Sequence, residues 1–194
     1  MSSARAVRAG GARPTGLTGT AGEYLVAAEL SLLGWLATVT IKNAPRFDIL
    51  AQIPERGFAI AIQTKTASQG NHFQLGKACE QPPKGTNEWY VFVQIQGEKQ
   101  RARFYVIPTL VVSGGVYAQH RQWLAETGRG GKPHKDNPMR TILPARVAGY
   151  EDRWDLLQAP ADTAPLLIDP VYTEFVDKWG LPQGHPGWPS PPSP

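Results

Sequence analysis

The sequence predicts a mixed α/β domain, an α+β arrangement in which helices pack on a mixed sheet. Three observations carry that prediction. A helical apolar repeat over 17–34 precedes three strand-like runs within 36–66. Two further apolar runs, 88–95 and 103–107, follow a polar connector. A second helical stretch, 110–125, begins just after Pro108.

Each element has a local reason. In the first helix Tyr24, Leu25, Ala28, Leu32 and Leu33 recur at helical spacing, Thr15 or Thr18 can cap its start, and Gly34 can stop it. Residues 36–42 are rich in β-branched side chains and read as a strand. The segment 43–45, Asn-Ala-Pro, punctuates. Residues 46–53 and 58–66 read as a hairpin around the tight turn 54–57, Pro-Glu-Arg-Gly. The stretch 67–86 reads as a polar connection with one helical turn near 75–79. Residues 88–95 are the clearest strand, turned by 97–100 into 103–107. The helix 110–125 offers Leu110, Val111, Tyr117 and Leu124 as apolar positions, and 127–140 reads as a polar basic loop. Segments 154–157 and 171–179 read as amphipathic helical pieces. The expected organisation is a disordered basic arm over 1–14, one domain over 15–180, and a disordered Pro-rich tail over 181–194 with six prolines.

Composition removes several classes. With 41% hydrophobic and 19% charged residues, the chain can bury a core. A single cysteine, Cys79, excludes an internal disulfide framework and a cysteine-based zinc cluster. No apolar run approaches the roughly 20 residues that span a bilayer, and residues 1–16 lack the apolar stretch of a secretory signal. A soluble cytoplasmic protein with no membrane partner is the expectation; an acid-free Arg-bearing start leaves an organellar transit peptide as the minor alternative. The net charge of +4 is uneven: residues 99–140 carry eight basic and two acidic residues, and 1–14 carry three arginines and no acid. Such a distribution attracts a polyanion if the charges are free, and is a solvated face otherwise.

The third strand holds the informative residues. Period-two geometry puts Gln63 and Lys65 on one face, about 7 Å apart along the strand. Asp48 stands between Phe47 and Ile49 on the preceding strand, so a short turn brings it near Gln63. A carboxylate, an amide oxygen and waters suit a hard ion such as Mg²⁺ or Mn²⁺, with Lys65 beside a phosphate and Glu23 of the first helix as a second acid. The plainer reading of the same residues is a strand end with an Asp48–Lys65 ion pair.

Asp48 in RFDIL, Gln63-Thr-Lys65 in AIQTKT, and Glu23 in GEYLVAAEL together resemble the PD-(D/E)xK nuclease superfamily, with its restriction-endonuclease-like core of helix, three strands, helix and strand. The Gln-x-Lys form resembles the variant of methyl-directed type IV restriction endonucleases and their relatives. A wider resemblance, over about residues 17–157, is to an uncharacterised bacterial family of this type. It rests on Gly22-Glu23, Asp48 to Ala51, Gln63 to Thr66, Trp89 to Val93, Phe104 to Pro108, His134 to Arg140 and Trp154 to Leu157, in that order.

The resemblance implies a divalent-metal-dependent DNA endonuclease that hydrolyses phosphodiester bonds. It implies Asp48 as the central metal ligand, Gln63 where most members have an acid, the backbone carbonyl of Thr64 sharing the metal, Lys65 as the catalytic lysine, and Glu23 as the accessory acid. The sequence departs from the pattern at Arg46-Phe47, where the family's Pro would stand, and at Gln63, whose neutral amide removes one negative charge from the site.

Lys132, Lys135 and Arg140 make the loop a candidate phosphate contact. His134, Asp136 and Asn137 invite a second reading as a metal or His-Asn nuclease centre, without a second His nearby in sequence. Trp89, Trp123, Trp154 and Trp179 are expected in the core or an interface. Gly128 to Gly131 lacks the Lys-Ser/Thr of a phosphate loop. The competing functional readings are a catalytically silent nucleic-acid-binding domain of the same fold and a protein-interaction module. The assembly is open between a monomer and a homodimer.

Overall fold

A computed structural model describes residues 15–41, 46–97 and 100–168. Helix α1 (Thr15–Leu32) leads into strands β1 (Leu36–Val39), β2 (Ile49–Ile53) and β3 (Phe58–Ser68). A short strand β4 (Phe73–Gly76) and a 3₁₀ turn (Lys77–Glu80) precede β5 (Glu88–Ile95) and β6 (Arg103–Pro108). Helix α2 (Thr109–Ala125) follows, then β7 (Met139–Ile142) and 3₁₀ turns at Pro144–Tyr150, Trp154–Gln158 and Ala161–Thr163. The expected basic arm, the tail and the 171–179 piece lie outside the described residues.

The main sheet is mixed, with order β1-β2-β3-β5-β6. β1, β2 and β3 run antiparallel in succession, β3 pairs parallel with β5, and β5 pairs antiparallel with β6. α1 packs against β1 and β3, and α2 against β5 and β6. This is the mixed sheet with helices that the sequence predicts. β5 is buried from Glu88 to Gln94. A strand covered on both faces reads as an unbroken apolar run, which is why it was the clearest one in the sequence. In β3, buried Ile60, Ile62 and Thr64 alternate with half-buried Ala61, Gln63 and Lys65, as the period of a strand requires.

The core gathers around Phe73, Trp89, Phe92, Phe104 and Tyr105. Phe73 lies 4.7 Å from Phe92 and 5.8 Å from Tyr105 between ring centroids. Trp154 packs on Phe104 at 5.4 Å, so Trp89 and Trp154 take the core places expected of them. Among the described residues no helix is long and apolar enough to cross a membrane.

Several boundaries differ from the sequence reading. Gly34, at φ +84°, does end α1. β1 stops at Val39, short of 42. β2 starts at Ile49 because Arg46 turns the chain with φ +86°, a left-handed conformation that no strand contains. The polar connector contains β4, and the basic loop contains β7; the two pair as a separate two-stranded sheet. In β4, buried Phe73 and Leu75 alternate with exposed Gln74 and Gly76. Four residues are too few to display a period, and the partner lies far along the chain.

Candidate functional site

The β2–β3 hairpin creates the site by ending its pairing at a side chain. Ile49 faces Ile62, and the Asp48 amide still donates to the Ile62 carbonyl at 2.9 Å. The next strand donor, the Thr64 amide, goes to Asp48 Oδ2 at 2.7 Å. A carboxylate that accepts a backbone N–H is fixed in direction by a charge-assisted bond. The Thr40 amide holds the Asp48 carbonyl at 2.8 Å, so the residue is tied on both sides. Among the described residues Asp48 forms no ion pair, so the plainer expectation of an Asp48–Lys65 pair is not what holds this strand end.

α1 supplies the second acid through a close approach. A Cβ at Gly22 would collide with Oγ1 of Thr66 on β3. Glycine therefore lets the helix backbone lie directly on the strand. The next residue, Glu23, joins Asp48, Thr64, Lys65 and Thr66 in lining one open cleft. The hydroxyls of Thr64 and Thr66 are buried there without a hydrogen-bond partner among the described residues. Unpaired buried polar groups cost stability and concentrate at working sites.

Lys65 also borders a second cleft, and Gln63 lies in that one. There Gln63 sits beside Tyr90, its register partner on β5. The structure thus brings Glu23, Asp48, Thr64 and Lys65 to one cleft and places the Gln63 side chain across Lys65 in the next. Arg46 and Lys84 line the second cleft, with Glu88 as its acid. Glu88 Oε2 pairs with Arg46 at 3.0 Å, and its Oε1 accepts from the amides of Lys84 and Gly85 at 2.9 and 3.0 Å. Burial pushes the Cys79 thiol up to about 12, reinforced by neighbouring Glu80. Burial likewise raises the Tyr90 phenol above its ordinary value, with Cys79 adding to the effect. Both stay protonated at neutral pH, so neither is a ready thiolate or phenolate.

The basic segment does not reach this place. Arg101 pairs with Glu29 and Asp152 at 3.2 and 3.4 Å, and Arg103 pairs with Glu151. Arg140, expected at the loop surface, is 3% exposed, paired with Glu80, and 3.5 Å from Asp136. Lys132 and Lys135 are exposed in the loop. Among the described residues, no Lys or Arg of 99–140 lines either cleft. The cations that do, Arg46, Lys65 and Lys84, lie earlier in the chain. Arg46 and Lys84 were missed as cleft residues, for no local motif marks them.

The His134 region takes a structural form. The His134 ring stacks on Trp123 at 4.0 Å, and its Nδ1 lies 2.6 Å from the Trp123 carbonyl. Asp136 is held by His120 Nε2 at 2.8 Å, the largest influence keeping its carboxyl below the ordinary value. Among the described residues, no three His, Cys, Asp or Glu side chains gather as a metal-holding group, there or in the clefts. Trp123 stacks with two imidazoles and is not among the core residues.

No family model matches this chain, and no curated protein matches it. Among solved structures, a bacterial homing endonuclease is similar at a TM-score of 0.45 and 15% identity, over 74% of this chain and 93% of that one.

Proposed function

We infer that the protein is a divalent-metal-dependent phosphodiester hydrolase acting on DNA, of the PD-(D/E)xK type. The observation that carries this reading is the Asp48 carboxylate, oriented by the Thr64 amide in an open cleft that Glu23 and Lys65 share. The donors fit Mg²⁺ of the kind that keeps most of its waters and takes one or two carboxylates. Asp48 would hold the ion with Glu23, because Oδ1 of Asp48 has no hydrogen-bond partner among the described residues. Such an ion lowers the pKa of a bound water and polarises a phosphate oxygen.

The protein's own groups have separate tasks. Asp48, fixed by its hydrogen bond, sets where positive charge is placed. Glu23 accepts a proton or a hydrogen bond from water in the same cleft. The Lys65 ammonium balances negative charge that builds on the phosphate during attack. Gln63, facing the second cleft, is available to the polymer beyond the reacting phosphate.

The test is cleavage of plasmid, single-stranded and branched DNA with Mg²⁺ or Mn²⁺. Asp48→Asn, Lys65→Ala and Lys65→Arg should each lose activity, the last because a planar guanidinium cannot copy an ammonium's geometry. Wild-type rates in Lys65→Ala would remove this site from consideration. A second reading, a binding domain without catalysis, is favoured by one observation: the described residues hold no three-acid group. Mg²⁺ titration separates the two, since wild type should bind the ion and Asp48→Asn should lose that affinity only if the Asp48 cleft is a working metal site.

A further inference from the structure

The second cleft carries donors and cations with nothing to receive them. Lys65 and Lys84 border it, and neither has an ion-pair partner among the described residues. Its acid, Glu88, is already taken by Arg46 and by the amides of Lys84 and Gly85. α2 starts on the same cleft, with Thr109 as its first residue. Pro108 before it gives no side-chain cap, and the first turn contains no acid. The start of this 17-residue helix therefore presents amide donors and the positive end of its dipole.

A side-chain observation points the same way. Thr109 is 7% exposed, lines the cleft, and its hydroxyl has no hydrogen-bond partner among the described residues. The half-buried Gln63 amide also has none. The residue is buried but its unpaired hydroxyl is not enclosed, so it opens on the cleft where a ligand oxygen can complete it. Several donors and two free ammonium groups around one space suit an anion with several acceptor oxygens, and a phosphate has that chemistry.

We propose that the second cleft is a phosphate subsite for the DNA backbone, formed by the start of α2, Thr109, Gln63, Lys65 and Lys84. Lys65 borders both clefts, so it stands between this phosphate and the one beside Asp48. The inference deepens the function proposed above and takes from it only the identity of the polymer.

Binding is measured by fluorescence anisotropy with a fluorescein-labelled 20-nucleotide DNA, single-stranded and as a duplex, across a salt series. EDTA is present so that no cleavage occurs. Lys84→Ala should weaken binding several-fold and lower the logarithmic salt slope by about 0.9 on duplex, the loss of one phosphate contact. Thr109→Asp places a carboxylate at the helix start, where it favours the helix but repels a phosphate. It should leave Tm unchanged or raised while binding falls at least about tenfold. A merely structural Thr109 would show the reverse, a lower Tm with binding intact, and would overturn the subsite. Arg121→Ala, on the same helix but outside the cleft, is the control for general charge loss.

If Lys84→Ala and Thr109→Asp bind like Arg121→Ala, the subsite is wrong even if wild type cleaves DNA in Mg²⁺. If wild type fails to cleave but its binding is sensitive to both substitutions, the hydrolase reading fails and the subsite stands. Wild type that binds neither DNA form overturns the subsite, as does a cleft that takes only deoxythymidine 5′-monophosphate.

Discussion

The segment 99–140 and the rim of the two clefts hold positive charge in different states. The segment is the more basic by count, yet three of its five arginines, at 101, 103 and 140, are matched by acids. The clefts hold only Arg46, Lys65 and Lys84, yet two of these stand without an ion-pair partner among the described residues. Charge counted along the chain overstates what a ligand feels, because an ion pair cancels most of its field at a distance. What draws an anion is the unpaired remainder, and here it is divided between Lys65 and Lys84 at the clefts and the exposed Arg121, Arg129, Lys132 and Lys135 of the segment.

The sharpest way to break this contrast is to remove one cation of each kind. Lys65→Ala should lower cleavage on the order of 10²–10³-fold, the usual cost of losing one group that meets transition-state charge. Its Tm should hardly move. Arg140→Ala should do the opposite. Removing one partner of a buried ion pair costs about 3–5 kcal/mol, here by leaving Glu80 uncompensated. Urea unfolding should show that loss, while cleavage per folded molecule stays near wild type. Equal effects of the two substitutions on both readouts would erase the distinction.

Smaller effects refine it. Lys132 and Lys135 are exposed in the loop and remain candidate phosphate contacts. Lys132→Ala and Lys135→Ala should each weaken duplex binding a few-fold, with a salt-slope change of about 0.9. No slope change would confine the contact surface to the clefts. At the Arg103–Glu151 pair, the hydrogen bond from Arg103 holds the Glu151 carboxyl below its ordinary value of 4.5. A depressed folded-state pKa gives stability that is present above pH 4.5 and is lost as pH falls through the lower folded value. Both side chains are substantially exposed, so Arg103→Gln should cost under about 1 kcal/mol at pH 7. That difference should shrink in urea melts as the pH is lowered below 4.5. Smallest of all, the native Cys79 thiol should react with a disulfide reagent at pH 8 only on unfolding, with Lys65→Ala making no difference.

The sequence was legible where one element carries its own pattern. The 54–57 turn and the apolar run of β5 each display punctuation or pattern within a few residues. The α1 helix was legible but its inner face was not: Tyr24, Leu25, Ala28, Leu32 and Leu33 are exposed, and Val26 and Leu30 face the core beside Gly22. Asp48 and Lys65 were readable as a pair because hairpin parity places them. Glu23 could be offered as a second acid but not placed, since its position in the cleft rests on Gly22 meeting Thr66, a contact between residues far apart in sequence. β4 and β7 were hidden by shortness, and Arg140 by its polar neighbours. A buried arginine is recognised by its acid partner, and Glu80 lies in a different segment. The role of Thr109 was invisible for a similar reason: position one of a helix is legible, but the cleft it opens on is not.

The pairing of β4 with β7 also joins segments that leave the ribosome far apart in time. It matches Phe73 with Ile142, whereas β1, β2 and β3 are successive neighbours along the chain. Loop-closure entropy makes pairing between distant segments late, and a chain leaving the ribosome orders its N-terminal part first. Glu23, Asp48 and Lys65 all precede the second cleft's far wall, which needs Leu75 and Gly76 of β4 and Thr109 of α2. The ribosome therefore releases the residues of the reactive groups before those of the walls that decide what may approach them.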